Sequence, residues 1–403
     1  MARPLPEAHG PQQLPYELIN NVADLLSRPD FENFRLSSKK IAECTRAQLA
    51  LAHFNGLPWR QDGARLHSLS LMPNCARRIR SVKFNMARID DEAVDDAMMQ
   101  IQDPLQLQEQ WGPYLSTQGQ ATAPVKLPLD LVVPALMRLP NLDTLCLTWV
   151  ECPWREHVPI ADVFLDEFSL HSAGSEVIET QQAVLEALRT RNVPLKSLTL
   201  EPSMHAKLVM PSNLDEKVAT VFGSITQLRL SLNYNVRYFK PDRLNFFISF
   251  MPNIRHLVLY SLPVDNGPGD VDFFIKKRLE HLESVEFSCL EFNFVSLAGF
   301  FLEHGPTLKH IKLQTLYGWC DPFDQVELDW DLMFQLMGDK TPKLESIRVT
   351  GTFSDNVGWR QMFYSDDDPH AEVYRQSRSA EESSRLEKYI VEGGEYPQPR
   401  WRI

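Results

Sequence analysis

The chain is poor in the features that mark several protein classes. Its 403 residues hold six cysteines (Cys44, Cys75, Cys146, Cys152, Cys289 and Cys320) and no CxxC pair. That excludes a dense disulfide scaffold and a cysteine-based structural zinc site, and leaves reduced, packed thiols as the expectation. No stretch approaches the roughly 18 uninterrupted apolar residues of a membrane-spanning helix. The most apolar segment, Leu127 to Leu139, is interrupted by Pro128, Asp130, Pro134 and Arg138. Basic charge is scarce, 41 Lys and Arg against 53 Asp and Glu for a net charge of −12. Binding along a nucleic-acid backbone rests on clustered cations and is not expected. The first residues carry Pro4, Pro6 and Pro11 without an apolar stretch, so no secretory signal is expected and the chain is placed inside the cell, in cytoplasm or nucleus. HExxH, GxSxG, phosphate-loop and spaced Cys/His patterns are missing as well. No catalytic residue, metal or cofactor is expected, and the chain is read as a non-enzyme.

What is present is material for packing. Hydrophobic residues make up 43% of the chain and charged residues 23%, with 22 Phe and 8 Trp, the composition of a folded protein. The length exceeds one ordinary core, and repetition is one way to grow beyond it.

A single pattern recurs from Arg78 onward: apolar, two residues, apolar, one residue, apolar. It occurs as Ile79/Val82/Phe84, Leu142/Leu145/Leu147, Leu195/Leu198/Leu200, Ile225/Leu228/Leu230, Ile254/Leu257/Leu259, Leu282/Val285/Phe287, Leu308/Ile311/Leu313 and Leu344/Ile347/Val349. Successive starts lie 63, 53, 30, 29, 28, 26 and 36 residues apart. The middle is therefore regular and the first two intervals hold insertions, near 86–128 and 151–176. The second and third apolar positions of each unit share one face of a strand, and the first turns inward as the chain enters it. Between strands, Phe294, Leu297, Ala298, Phe301 and Leu302 fall at helical spacing with Gly305 placed to end the helix. Val271, Phe274, Ile275, Leu279 and Leu282 repeat that spacing one unit earlier, with Asp270 as N-cap. Strand, loop and helix at about thirty residues per unit describe a solenoid. After Thr352 the pattern stops, and a helix around Ala380 to Val391, ended by Gly393-Gly394, is expected to cap the last unit.

The N-terminal segment reads differently. Leu18, Ile19, Val22, Leu25 and Leu26 lie on one side of a first helix, and Arg28-Pro29-Asp30 ends it. Phe31, Phe34, Leu36 and Ile41 are the apolar positions of the helices that follow, with Ser37 and Ser38 as candidate N-caps. A helical unit of this size cannot bury all its apolar surface alone, so it needs a neighbour.

The run Leu14-Pro15-x-Glu17-Leu18-Ile19-x-x-Val22-x-x-Leu25-Leu26, followed by Phe31-x-x-Phe34-Arg35-Leu36-x-Ser38-x-Lys40, resembles the F-box motif in its fungal form. The resemblance implies that Leu14, Pro15, Leu18, Ile19, Val22, Leu25, Leu26, Phe34, Arg35 and Leu36 form or support a surface facing a Skp-type adaptor. Through that adaptor the chain would join cullin and RING subunits as the substrate receptor of an SCF-type ubiquitin ligase, with the repeats selecting a protein substrate. Where many F-boxes carry a tryptophan near the end of the third helix, this chain has Ile41-Ala42-Glu43-Cys44. Three alternatives remain open: a scaffold that holds the adaptor but no cullin, a leucine-rich-repeat scaffold free of any adaptor, and a helical unit that merely caps the first repeat.

The expected architecture is α/β. An F-box-like three-helix unit spans 12–55, an irregular leucine-rich-repeat-like strand/helix solenoid spans 65–352, and a tail with a capping helix occupies 353–403. Strand alternation sends the residues flanking the inward positions to the opposite, concave face. Arg229, His256, Tyr260, Glu286, His310, Lys312 and Arg348 are the candidate substrate-binding residues there, Arg and Tyr being favoured at interfaces. The run Asp265 to Asp272 lacks the ligand spacing of a calcium loop and reads as a turn. Asp321, Asp324, Glu327, Asp329 and Asp331 read as a solvated acidic loop. His256 and His310 read as surface polar groups rather than a metal pair.

Overall fold

The computed structural model describes most of the chain from Pro15 onward. Outside the described residues lie 1–14, 46–51, 88–95, 116–125, 152–173, 204–220, 233–240, 262–277, 321–327, 363–378 and 398–403, with several one- and two-residue positions.

Among the described residues, ten strands form one sheet in strict chain order: β1 (His53–Gly56), β2 (Ser81–Asn85), β3 (Thr144–Thr148), β4 (Ser197–Ser203), β5 (Gln227–Leu232), β6 (His256–Ser261), β7 (Ser284–Asn293), β8 (His310–Trp319), β9 (Ser346–Asp355) and β10 (Gly358–Met362). The first nine run parallel, and β10 returns antiparallel on β9. Neighbours in sequence are neighbours in space, the arrangement of a leucine-rich-repeat-like solenoid. The helices are α1 (Arg28–Leu36), α2 (Lys39–Cys44), α3 (Asp62–Ser70), α4 (Pro73–Ala76), α5 (Pro104–Leu115), α6 (Leu129–Arg138), α7 (Gly174–Arg191), α8 (Pro241–Ser249), α9 (Phe294–His304), α10 (Trp330–Lys340) and α11 (Ser379–Glu392).

The repeated pattern is the register of this sheet. Val82, Leu145, Leu198, Leu228, Leu257, Val285, Ile311 and Ile347 stand side by side, as do the third positions from Phe84 to Val349. All are buried in one continuous core, together with the first positions from Ile79 to Leu344. A slip of one residue would turn a whole row outward, so burial itself fixes the register. Removing one such side chain, as in Leu257→Ala, costs about 2–5 kcal/mol.

Each strand is entered through a turn. In Leu139-Pro140-Asn141-Leu142 and Met251-Pro252-Asn253-Ile254 the last N–H donates to the first carbonyl, at 3.4 and 3.3 Å, with proline at the position whose φ it presets. Thr341-Pro342-Lys343-Leu344 repeats this at 3.0 Å. The residue that follows the first apolar position then binds its neighbours twice over. The carbonyl of Arg255 accepts from Glu283 N and Ser284 N, both at 2.9 Å, and that of Glu283 accepts from Lys309 N and His310 N at 2.7 and 3.0 Å. The same paired bonds run from Ala52 to Glu345 and Ser346.

The sheet starts earlier than the repeat pattern shows, at β1, which overlaps the end of the segment 12–55 assigned to the helical unit. Phe54 pairs with Val82 in register and Gly56 with Phe84. A Cβ on Gly56 would lie 2.5 Å from the Phe84 ring, so the third apolar position is empty here because a neighbour's ring fills it.

The last three parallel strands share a bend. Cys289, Thr315 and Gly351 have φ of 53°, 49° and 83°. The pairs Ser288↔Gln314↔Thr350 and Leu290↔Leu316 place these three side by side. The left-handed region is unfavourable for a β-branched residue such as Thr315. At Gly351 no side chain fits, since a Cβ would meet Thr315 Oγ1 at 2.1 Å. In β7 and β8 the bend resets inward alternation by one residue, so Leu290, Phe292 and Leu316 are buried beyond it; in β9 the register shifts by an extra residue, which brings the buried Phe353 opposite Leu316. They join an aromatic cluster in which Trp330 packs edge-on against Phe294 and Phe353, with centroids 5.2 and 4.9 Å away.

Several expectations change in detail. In α9 the buried residues are Phe294, Leu297, Phe300, Phe301 and His304, while Leu302 faces outward. Gly305 ends α9 in a right-handed conformation, and it must be glycine because a Cβ would sit 2.3 Å from the Lys340 carbonyl. Leu279 and Leu282 lie in the turn before β7 rather than in a helix. Val271, Phe274, Ile275 and Asp270 fall outside the described residues. Asp329 is not loop: its side chain accepts from Leu332 N at 2.8 Å and caps α10. Asp331 accepts from the Tyr396 hydroxyl. Asp321, Asp324, Glu327 and the run Asp265 to Asp272 lie outside the described residues.

Candidate interaction surfaces

Around Ile19 a small core separate from the sheet core joins Ile41, Cys44 and the partly buried Phe34. Leu18–Ile19 and Val22–Ala23 are helical, and Ile19 N donates to Pro15 O at 3.1 Å. Pro29 falls in the first turn of α1, where the missing N–H costs nothing. Ser38 stands at the N-cap of α2 without a side-chain cap bond, and Ser37 instead donates to the Phe34 carbonyl at 2.6 Å. Ile41 and Cys44 complete the core.

Of the residues carried over from the F-box motif, Ile19 is consumed by this core, and Phe34, Arg35 and Leu26 are half-buried. Pro15, Leu18, Val22 and Leu36 are exposed, Leu36 to 86%. Leu14 and Leu25 lie outside the described residues. The unit thus presents apolar side chains that its own helices leave uncovered.

The second surface is the sheet face opposite the core. The register aligns three rows of outward residues, and the middle one reads Asn55, Lys83, Cys146, Thr199, Arg229, Val258, Glu286, Lys312, Arg348. Arg229, Glu286, Lys312 and Arg348 therefore stand in one line. His256 and His310 share the row nearer the strand starts with Ser284 between them, and Tyr260 stands in the row beyond Arg229. The seven candidate residues are brought onto one face, spread over five strands rather than gathered in a pocket.

The face is ordered by ion pairs. Glu201 is only 5% exposed, and Arg229 Nε donates to its Oε1 at 2.6 Å. The Arg229 guanidinium also lies over the Tyr260 ring, 4.8 Å from its centroid. Burial works against the Arg229 charge, yet the hydrogen bond and charge of Glu201 outweigh it and hold the guanidinium more firmly protonated. Burial, then the Glu201 charge, pushes the Tyr260 phenol up. The same two causes push the Cys146 thiol up to about 12, and burial pushes Cys289 up to about 11. Both thiols stay protonated and unreactive near neutrality. Lys312 Nζ pairs with Glu286 Oε1 at 2.8 Å, Lys83 pairs with Glu151, and His310 Nδ1 lies 3.0 Å from Ser346 Oγ. Among the described residues there is no cluster of His, Cys, Asp and Glu that could hold a metal ion and no helix long and apolar enough to cross a membrane.

Two features of this face escape the repeat pattern. Lys83 and Cys146 belong to the central line but sit in the irregular early repeats. Along the strand entrances, Arg80, Asp143, Lys196, Thr226, Arg255, Glu283, Lys309 and Glu345 nearly alternate in sign, and Glu283 lies 3.4 Å from both Arg255 and Lys309. The signal was legible: each follows the first apolar residue of its unit.

No protein-family model matches the chain, and no curated protein matches it. Among solved structures, a leucine-rich repeat-containing protein from Legionella pneumophila, LegL7, is similar at 13% identity over 62% of this chain and 85% of its own, with a TM-score of 0.23. A likeness at that score adds nothing to the repeat architecture, which stands on the register of the sheet.

Proposed function

We propose that this chain is the substrate-recognition subunit of an SCF-type cullin-RING ubiquitin ligase, in which the N-terminal helices hold a Skp-type adaptor and the open sheet face holds the protein substrate. The observation that carries the reading is the division of labour in the N-terminal unit. Ile19, Ile41 and Cys44 make its core, while Leu18, Val22 and Leu36, all positions of the F-box-like run, stay exposed. Exposed apolar side chains grouped on a small helical unit mark a protein interface. The chain's part is non-catalytic: it brings a client to a ligase whose chemistry belongs to other subunits.

Co-purification with a Skp-type adaptor tests this. The unchanged chain is expected to elute with the adaptor, and Leu18→Asp with Leu36→Asp to elute alone while keeping its thermal transition, since both positions are exposed. If the doubly changed chain still holds the adaptor, or the unchanged chain never does, the ligase reading falls and a free scaffold takes its place. Adding neddylated cullin and RING separates a ligase receptor from an adaptor-bound scaffold, because only the receptor supports ubiquitin transfer to a bound client.

A further inference from the structure

The open face of β5–β9 differs in charge from the rest of the molecule. The chain as a whole has 41 basic against 53 acidic residues. The outward positions of this face before the bend carry three Lys or Arg (Arg229, Lys312, Arg348) against one carboxylate, Glu286, and beyond the bend β7 adds Glu291. Two of these cations are equipped to receive an anion. Arg229 has its Nε committed to the buried Glu201 and its plane laid on Tyr260. Its side chain is nonetheless 46% exposed, so the fork of the guanidinium is held in place before any ligand arrives. An arginine fixed in this way loses little freedom on binding and offers two parallel donors to a carboxylate or phosphate. Arg348 is exposed on β9 and has no carboxylate partner among the described residues, whereas Lys312 beside it is already paired with Glu286.

We infer that the ligand of this face is an extended, anionic segment of a protein client, laid across the strands with one acidic group on Arg229 and a second on Arg348. This rests on reading the open face as the client surface. The spacing follows from the sheet. Arg229 and Arg348 stand in the same row four strands apart, about 19 Å at about 4.8 Å per strand. An extended chain covers that distance in about five or six residues. Val258, the apolar member of the row next to Arg229, suits an apolar side chain close to the first acid, and Glu286 disfavours a third acid in between.

The test selects a random dodecapeptide display library on the full-length chain. Enrichment of peptides with two Asp or Glu residues five or six positions apart is expected. Arg229→Gln and Arg348→Gln should each weaken a selected peptide about tenfold or more and remove the demand for one of the two acids. Glu201→Gln, which frees Arg229 without removing it, should weaken the peptide less than Arg229→Gln does. Replacing the acids by phosphoserine tells the sources apart: tighter binding assigns a phosphorylated client, equal or weaker binding a client with native acids. Failure to enrich any peptide, enrichment without paired acids, or unchanged selection by the two arginine variants overturns the inference. Adaptor co-purification on the same variants keeps the two readings separate. A chain that binds the adaptor but selects no acidic peptide sinks only the ligand, whereas one that selects acidic peptides without binding the adaptor sinks only the ligase.

Discussion

The most consequential single residue outside the interaction surfaces is His304, at the end of α9. Its Nδ1 lies 2.9 Å from the Phe300 carbonyl and its Nε2 accepts from Leu279 N at 3.0 Å. An acceptor at Nε2 requires the neutral ring, with its proton on Nδ1. Burial holds the imidazole below its ordinary 6.5, against the smaller opposing pull of the Phe300 carbonyl. The unfolded chain therefore takes up the proton first. The stability His304 contributes is complete above about pH 6.5 and is lost as pH falls through that value toward the lower folded pKa. Urea midpoints measured between pH 8 and pH 5 should fall on the acid side, and His304→Gln should flatten that part of the profile. The same change, if the new side chain leaves Leu279 N unpaired, costs about 1–3 kcal/mol at pH 8. None of this was legible in the sequence. A histidine three residues beyond a phenylalanine looks like any polar residue near a helix end, and only the turn from the previous repeat gives it a partner.

Among the elements, the helix ends were harder to read than the strands. Strand rows announce themselves because burial repeats at fixed spacing, and each inward position from Ile79 to Val349 is buried. Helix boundaries depend on local polar atoms that no periodicity reports. Asn293 caps α9 by accepting from Val295 N and Ser296 N at 2.9 and 3.2 Å, yet in the sequence it is one polar residue within an aromatic run. Asn293→Ala should lower stability by about 1 kcal/mol, visible as a lower urea midpoint at unchanged slope. Gly305 was legible as a helix end for the wrong reason: a neighbouring backbone, rather than a left-handed turn, demands glycine there. The first strand was missed because a ring from β2 occupies the place of its third apolar side chain.

For the whole molecule, the two ends of the sheet are protected differently. β1 is four residues long, and a short edge offers little to a passing strand. At the other end β10 covers only the later half of β9. Where β10 no longer pairs, α11 takes over: Glu387 Oε1 accepts from Val349 N at 2.8 Å, and Leu386 and Ile390 enter the main core. Tyr389 lies against Gly338 of α10 and packs edge-on against Tyr396. A chain ending before Ser379 is expected to expose this edge, to unfold at a lower temperature and to self-associate in sedimentation, while still binding the adaptor. The capping role of this helix was legible because an open repeat stack must hide its last apolar row. The identity of the client was not legible, since outward residues follow the partner's chemistry and no internal period.

The bend shared by β7, β8 and β9 sets a rule for how this molecule can change its length. The strands from β2 to β6 carry no left-handed residue among the described residues, so a strand added there has no bend to match in its neighbours. From β7 on, each strand's left-handed residue sits against the next, Thr315 Oγ1 occupying the space over Gly351. A unit inserted there would have to bring its own glycine or strained residue at one position. Evolution and protein engineering alike should find the molecule extensible from its middle and closed to growth near its C-terminal end.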